Sequence, residues 1–87
     1  MLDHPAASAT ARIAALAAAF LAKRGVDRAV GPDEDLTASG LNSLDMVNLM
    51  LAVEAAFAVK IPDRDMTPAN FRTVARIAAL VERASGE

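Results

Sequence analysis

Large apolar residues recur at helical spacing in the first third of the chain. They lie three, four and one positions apart and therefore share one face of a helix: Ile13, Leu16, Phe20 and Leu21. We predict a helix from about Ala7 to Arg24, preceded by a loose tail over residues 1–6. Gly25 suits the end of this helix, because glycine commonly follows the last helical turn.

The second predicted helix starts at Asn42 or Ser43, ends near Phe57 and is apolar on two sides. One stripe comprises Leu49, Met50, Val53 and Phe57. A second stripe, rotated away from the first, comprises Leu44, Val47 and Leu51. Such a helix is either buried on both sides or keeps one side for a partner.

Two proline-containing signals divide the last third of the chain. Ile61-Pro62 ends any continuation of the second helix, since proline disfavours helical structure in the residue before it. Thr67-Pro68 is a typical helix start, with threonine as the cap and proline at the first helical position. We therefore predict a short helical turn from Thr67 to Phe71, with Met66 and Phe71 facing inward.

The last predicted helix runs from Thr73 to about Ala84 and has one buried face: Val74, Ile77, Ala78 and Val81. No segment alternates apolar and polar residues as a half-buried strand would. The long connection from Val26 to Ser39 is rich in turn residues and charges, which predicts irregular structure pinned by Val30 and Leu36. The fold class is all-α: a single domain over residues 1–87, built as a small four-helix bundle of three main helices and one short helix.

Composition changes this picture mainly by excluding chemistry. Hydrophobic residues make up 54% of the 87 residues, which supports a folded core in one small domain. There is no cysteine, so disulfides and thiolate metal sites are impossible. The lone histidine, His4, precedes every predicted element, which argues against a catalytic triad and against a histidine-based metal site.

Charge is unevenly distributed although the net charge is only −2. The segment from Gly31 to Val59 contains no lysine or arginine, and its acids are Asp33, Glu34, Asp35, Asp45 and Glu54. An acidic middle suits a basic partner surface, while the alternative is a solvated loop plus two isolated helix charges. No basic run interleaved with aromatic residues occurs, which disfavours nucleic-acid binding.

The apolar run from Ile13 to Ala22 is too short to span a bilayer and is followed directly by Lys23-Arg24. It also lacks the cleavage site of a signal peptide. The sequence therefore predicts the buried face of a soluble helix, with no membrane partner. A cytoplasmic monomer is the expected form of the protein.

Ser43 is the candidate for chemistry, because it stands at the start of the second helix after a turn containing Gly40. A serine at such a position is commonly only a cap that accepts a bond from a backbone amide. Asn42 can cap equally well and would leave the Ser43 hydroxyl exposed beside free amides. A phosphate joined to that oxygen would be stabilised at the positive end of the helix dipole.

Four groups of residues follow one another at a characteristic spacing: Asp35-Leu36, Gly40-Leu41-Asn42-Ser43-Leu44-Asp45-Met46-Val47, Glu54-Ala55-Ala56-Phe57 and Ile61-Pro62. Together they resemble acyl carrier proteins. The family pattern is a Gly-x-Asp-Ser-Leu core, a helix that ends near Glu-x-x-Phe, and Ile-Pro a few residues later. The resemblance covers residues 10–84, and the register of the downstream groups makes the short core motif specific.

The resemblance implies that Ser43 carries a 4′-phosphopantetheine arm, transferred from coenzyme A by a separate phosphopantetheinyl transferase. The thiol of the arm would hold an acyl or aminoacyl group as a thioester. The chain would then be a stand-alone carrier and not an enzyme. Its other partners would be a loading ligase and a downstream acyltransferase or synthase, each of which meets the tethered group at a raised effective concentration.

By the same resemblance, the second helix is the main recognition element. Its outward residues would be the candidate partner-binding residues: Leu44, Asp45, Val47, Asn48, Leu51 and Glu54. The other stripe of the helix would then be core. Partner binding is expected to depend more on apolar contact than on charge steering, because Asn48 and Ala55 stand where acids are frequent in the family.

Two further departures favour a specialised carrier over one for primary fatty-acid synthesis. Asn42 precedes the serine where fatty-acid carriers typically have aspartate, and Ser39 precedes Gly40 where an apolar residue is usual. The Gly-Leu-x-Ser start and the run from Thr67 to Val74 are similar to small discrete carriers that synthetase-like ligases charge with amino acids.

Two alternatives remain open at this point. The chain could be a helical adaptor that binds a partner without a prosthetic group, in which case Ser43 would be dispensable. It could also be a small enzyme with Ser43 as its nucleophile, although no histidine base lies near that residue in the sequence.

Overall fold

The computed structural model describes the backbone of residues 5–86 and the side chains of residues 9–85. Residues 1–4 of the predicted tail, which include His4, lie outside this part of the chain. The described elements are α1 Pro5–Lys23, α2 Leu36–Ser39, α3 Ser43–Phe57, a single 3-10 turn at Asp63–Asp65, α4 Pro68–Phe71 and α5 Val74–Gly86. No strand occurs between residues 5 and 86, and the predicted all-α class is confirmed.

The first helix starts earlier than its apolar pattern predicts. α1 begins at Pro5, so the prediction that residues 5 and 6 belong to a loose tail is wrong. Proline suits a first helical turn, because the amide that it lacks would have no partner within the helix. At the other end Gly25 takes a left-handed conformation with φ 84°, and the N–H of Val26 donates to the Leu21 carbonyl at 2.9 Å.

The core lies where α1, α3 and α5 meet, because α1 packs against both of the other long helices. Its largest fully buried side chains are Ile13, Leu21, Leu36, Leu41, Leu49, Met50, Val53, Ile61, Val74 and Ile77. Leu49, Met50 and Val53 confirm three members of the predicted core stripe on α3. Phe57 is only half-buried, with the Arg12 guanidinium 4.2 Å above its ring.

The last third of the chain folds as its proline signals predict. Thr67 caps α4 by accepting a hydrogen bond from the N–H of Asn70 at 3.4 Å. Phe71 is buried and Met66 is half-buried against the core. The predicted buried face of α5 is confirmed, and the structure adds Leu80 to it: Val74, Ile77, Ala78, Leu80 and Val81.

The connection between α1 and α3 crosses the domain and is pinned as predicted. Val30 and Leu36 are both buried. The N–H of Leu36 donates to the Arg72 carbonyl at 2.9 Å, and the N–H of Ala75 donates to the Pro32 carbonyl at 2.9 Å. These bonds hold the connection against the start of α5 and thereby fix the direction from which the chain enters α3.

The prediction that this connection is irregular throughout is wrong. Its last residues form α2, which Asp35 caps by accepting a hydrogen bond from the N–H of Ala38 at 3.0 Å. Leu36 sits at the first position of this turn with its side chain in the core. A four-residue helix is too short to show an apolar period, which is why the sequence pattern misses it.

Candidate functional site

Ser43 is the first residue of α3 and follows a sharp turn of the chain. Gly40 has φ 137°, and a Cβ added there would lie 3.4 Å from Leu21 Cδ2. The next residue, Leu41, is buried, and its N–H donates to the Leu36 carbonyl at 3.1 Å. The anchored turn therefore brings Ser43 to the surface directly beside the core.

Asn42, and not Ser43, caps α3. Its side-chain oxygen accepts a hydrogen bond from the N–H of Asp45 at 2.8 Å, and the Asp45 carboxylate accepts one from the N–H of Asn42 at 3.1 Å. The two bonds form a capping box. Ser43 is exposed, and its hydroxyl makes no hydrogen bond with residues 9–85. The predicted division of roles between Asn42 and Ser43 is confirmed.

The backbone around the hydroxyl is suited to an anion. The first amides of a helix have no partner within it, and the capping box uses only that of Asp45. The amides of Ser43 and Leu44 and the positive end of the helix dipole thus remain beside the hydroxyl. A phosphate on Ser43 Oγ would be stabilised at this helix start.

Asp45 does not lie on the outward face of α3, so the prediction that it faces outward toward a partner is wrong. The residue is only 8% exposed, and its carboxylate forms a bidentate pair with Arg24, at 2.9 Å from Nε and 2.8 Å from Nη2. Hydrogen bonds from Arg24 and from the Asn42 amide lower the pKa of Asp45. No local signal joins Arg24 to Asp45, which is 21 positions away.

The other predicted outward residues of α3 divide into two groups. Leu44, Val47 and Leu51 are 66%, 49% and 53% exposed, and Asn48 is also exposed. Glu54 is half-buried, and its carboxylate accepts a hydrogen bond from the N–H of Ile61 at 2.7 Å. Glu54 therefore fixes the chain after α3 instead of pointing freely outward.

The acids before α3 also make hydrogen bonds within the domain. The Glu34 carboxylate accepts hydrogen bonds from the Arg28 guanidinium, the Ser39 hydroxyl and the Gly31 amide. These bonds lower the pKa of Glu34 to about 2, and the bond from Arg28 has the largest effect. Asp35 caps α2. The acidic segment is thus largely engaged within the domain, which the distribution of charge along the sequence does not reveal.

A cleft of about 250 Å³ opens beside Ser43 between the start of α3 and the chain around α4. Its lining is mostly apolar and comprises Thr37, Ser43, Met46, Val47, Met66, Pro68 and Phe71. The lining contains no charged side chain. A neutral, flexible group attached at Ser43 could lie along this cleft without leaving a charge unpaired.

The described part of the chain contains neither a metal-binding cluster nor a membrane-spanning helix. Residues 5–86 contain no cluster of acids or histidines that could hold a metal ion. Within the same residues no helix combines the length and apolarity needed to cross a membrane.

Comparison with known proteins shows the family to which this chain belongs. The family described as "Phosphopantetheine attachment site" matches residues 11–81. Aminoacyl carrier protein 1 of Bradyrhizobium diazoefficiens is 41% identical over 70 residues, which cover 80% of this chain and 78% of that protein. Aminoacyl carrier protein 2 of the same organism is 38% identical over 63 residues, covering 72% and 71% respectively.

Two solved structures contain carrier proteins that are similar to this chain. A carrier protein in a crystal structure of the Bradyrhizobium japonicum glycine:[carrier protein] ligase complexed with glycylated carrier protein superposes with a TM-score of 0.74. It is 36% identical, and the match covers 84% of this chain and 97% of that one. A second complex, with the cognate carrier protein and an analogue of glycyl adenylate, gives a TM-score of 0.76 at 36% identity, with 87% and 97% covered.

Proposed function

This chain belongs to the family of carrier proteins with a phosphopantetheine attachment site, and from that membership we propose that it carries an aminoacyl group on an arm attached to Ser43. Carriers of this family bind 4′-phosphopantetheine covalently and are not themselves catalysts. Family membership therefore excludes the adaptor without a prosthetic group and the small serine enzyme. The attachment residue is Ser43, and the cargo is an aminoacyl group.

The main support for Ser43 as the attachment residue is its free hydroxyl at the start of α3. Asn42 takes the capping role that a serine here would otherwise fill. The hydroxyl oxygen is thus available for a bond to phosphorus, and the adjacent amides can hold the phosphate oxygens. When bound, the arm supplies a thiol, the one reactive group that a chain without cysteine cannot provide.

The aminoacyl cargo is supported by the relatives. Both curated relatives are aminoacyl carrier proteins, and one structural relative is glycylated. We propose that an amino acid:carrier protein ligase loads this chain, as such a ligase binds the carrier in both solved complexes. A phosphopantetheinyl transferase that installs the arm and a downstream acyltransferase or synthase complete the proposed set of partners.

The proposed partner surface is the exposed stripe on α3: Leu44, Val47, Asn48 and Leu51. These residues follow Ser43 on the same helix, so a partner that covers them also reaches the base of the arm. The stripe holds no charge. We therefore propose that the ligase recognises it through an apolar surface and not through a basic patch.

Intact-mass analysis tests the attachment site. After incubation with coenzyme A and a promiscuous phosphopantetheinyl transferase, the wild-type chain should gain one phosphopantetheinyl group. Ser43→Ala should gain none, because no other oxygen occupies this position. Ser85→Ala, in which the lost hydroxyl bonds the Val81 carbonyl on α5, is the matched control and should be modified like the wild type. Equal modification of Ser43→Ala would exclude Ser43.

The cargo is tested separately on protein purified from its native cell. We expect the mass of an aminoacyl thioester that hydroxylamine removes, and glycine is the first candidate to compare. A fatty-acyl or polyketide mass would contradict the aminoacyl cargo and leave the carrier function intact.

A further inference from the structure

Arg24 and Asp45 join the end of one long helix to the start of another, immediately beside Ser43. Arg24 follows the last residue of α1, and its N–H donates to the Leu21 carbonyl at 2.9 Å. Asp45 lies in the first turn of α3, two residues after Ser43. The bidentate pair therefore ties the first turn of α3 to the end of α1, where Leu21 is fully buried.

Three donors hold the Asp45 carboxylate, two from the Arg24 guanidinium and one from the Asn42 amide. The side chain of Asp45 is only 12% exposed, while that of Arg24 is 45% exposed. A largely buried carboxylate is tolerated when it is paired and hydrogen-bonded, and it becomes unfavourable when its partner is removed. Without Arg24, the carboxylate would move toward water and give up its bond to the Asn42 amide.

The bond from the Asn42 backbone amide completes the capping box at the start of α3, with Asn42 as the cap. Asn42 and Ser43 are adjacent, and both residue types are favoured as helix caps. If the capping box opened, α3 could start one residue later, with the Ser43 hydroxyl accepting a backbone N–H. The hydroxyl would then be engaged as a cap and would no longer be free for a bond to phosphorus.

We infer that Arg24 and Asp45 are positioning residues for the attachment of the arm, because they keep the start of α3 at Asn42 and the Ser43 hydroxyl free. This inference rests on the proposed function, in which Ser43 is the attachment residue. It also assigns Asp45 a role inside the domain. Neither residue touches the reacting atoms; both act through the capping box.

The kinetic test compares two arginine-to-glutamine variants. In Arg24→Gln we expect kcat of the transferase reaction with coenzyme A to fall by about fivefold to tenfold, the ratio that corresponds to losing one helix cap. KM for the carrier should stay unchanged, because the exposed stripe on α3 is untouched. Arg28→Gln is the matched control, since it breaks the Glu34 pair in the preceding loop and leaves the capping box intact.

Conservative variants show whether geometry or charge is responsible. Arg24→Lys keeps the charge but loses the planar fork that aligns two donor nitrogens with the carboxylate, so its kcat should lie between those of the wild type and Arg24→Gln. Asp45→Asn keeps the size of the side chain, removes the ionic attraction and should resemble Arg24→Gln. These two variants also carry the test if Arg24→Gln does not fold.

Carbon chemical shifts of Asn42 and Ser43 in the unmodified protein report the position of the cap. They should show that the cap moves from Asn42 to Ser43 in Arg24→Gln and stays at Asn42 in Arg28→Gln. Because this measurement needs no arm, it separates failure of the positioning role from failure of the proposed function. Equal losses of kcat in both glutamine variants, a loss confined to KM, or an unshifted cap in Arg24→Gln would each overturn the inference.

Discussion

At the start of α3, neighbouring residues of similar chemistry have different roles because of what surrounds them. Asn42 and Ser43 both suit a cap, yet only Asn42 accepts the N–H of Asp45. Asp45 completes the box from the other side and pairs with Arg24. The exposed hydroxyl is therefore a consequence of contacts made by its neighbours and not of the serine itself.

Ala58 ends α3 in the left-handed conformation, with φ 55° and ψ 44°. An L side chain is disfavoured in this conformation by roughly 1 kcal/mol. Ala58→Gly should therefore raise the free energy of unfolding by about 1 kcal/mol. Urea denaturation measures this change.

Ala55→Gly is the control for Ala58→Gly. Ala55 is exposed in the last turn of the same helix, where the backbone is helical and glycine is less favourable than alanine by up to about 1 kcal/mol. The two substitutions are chemically identical and should shift stability in opposite directions. A loss of stability in both would show that the conformation of Ala58 carries no strain.

At the scale of the element, α3 serves the core with one side and is available to a partner with the other. Its buried side consists of Met46, Leu49, Met50 and Val53, together with the paired Asp45. Its only other charged residue, Glu54, bonds the amide of Ile61. The helix therefore presents exposed apolar side chains and an amide, and both of its carboxylates are engaged within the domain.

Leu51→Asp tests the proposed partner surface. We expect KM for the ligase that charges the wild-type chain to rise roughly tenfold or more, since a buried leucine contributes about 1.5–3 kcal/mol. The free energy of unfolding should change by less than about 0.5 kcal/mol, because Leu51 is exposed. Ala79→Asp on the exposed face of α5 is the control and should leave KM unchanged.

The uncharged stripe on α3 leads to a second expectation for the same reaction. KM of the wild-type chain should change little from low to high ionic strength, since the carboxylates of α3 are engaged internally. Steady-state kinetics across a salt series measures this. A steep rise of KM with salt would show that charges outside α3 recruit the ligase.

At the scale of the whole molecule, ion pairs join segments that the helical pattern leaves unconnected. Arg24 and Asp45 link α1 to α3, while Arg28 and Glu34 close the loop between them. Backbone bonds from Leu36 to Arg72 and from Ala75 to Pro32 then attach this loop to the start of α5. The position of Ser43 thus depends on the packing of all three long helices.

The pH dependence of the free energy of unfolding tests the loop pair, which consists of Arg28 and Glu34. The folded-state pKa of Glu34 is lowered from 4.5 to about 2, chiefly by the hydrogen bond from Arg28. A lowered carboxyl pKa stabilises the fold above the unfolded value and loses this effect as pH falls through the folded value. The free energy of unfolding should therefore decline between these two pKa values, as measured by urea denaturation at a series of pH values.

Glu34→Gln should show a shallower decline over this range, because the group that titrates has been removed. Asp33→Asn, at an exposed neighbour for which no ion pair occurs among residues 9–85, should keep the slope of the wild type. Identical slopes in the wild type and Glu34→Gln would contradict the role of the loop pair.

Features that depend on short-range chemistry could be predicted from the sequence alone. Apolar period, capping residues and proline signals act within about one or two helical turns, so the three long helices and the cap at Thr67 could be predicted from neighbouring residues. The resemblance to carrier proteins also depended on the register of short motifs. The family match over residues 11–81 confirmed it.

Which charged residues face solvent depends on how the helices pack. The resemblance to carrier proteins implied outward side chains for Asp45 and Glu54, yet partners 21 and 7 positions away hold them inside the domain. Such pairings depend on where helices cross, and the period of a single helix does not contain that information. The exposed serine could therefore be found from the sequence, while the contacts that keep its hydroxyl free became visible only when α1 was packed against α3.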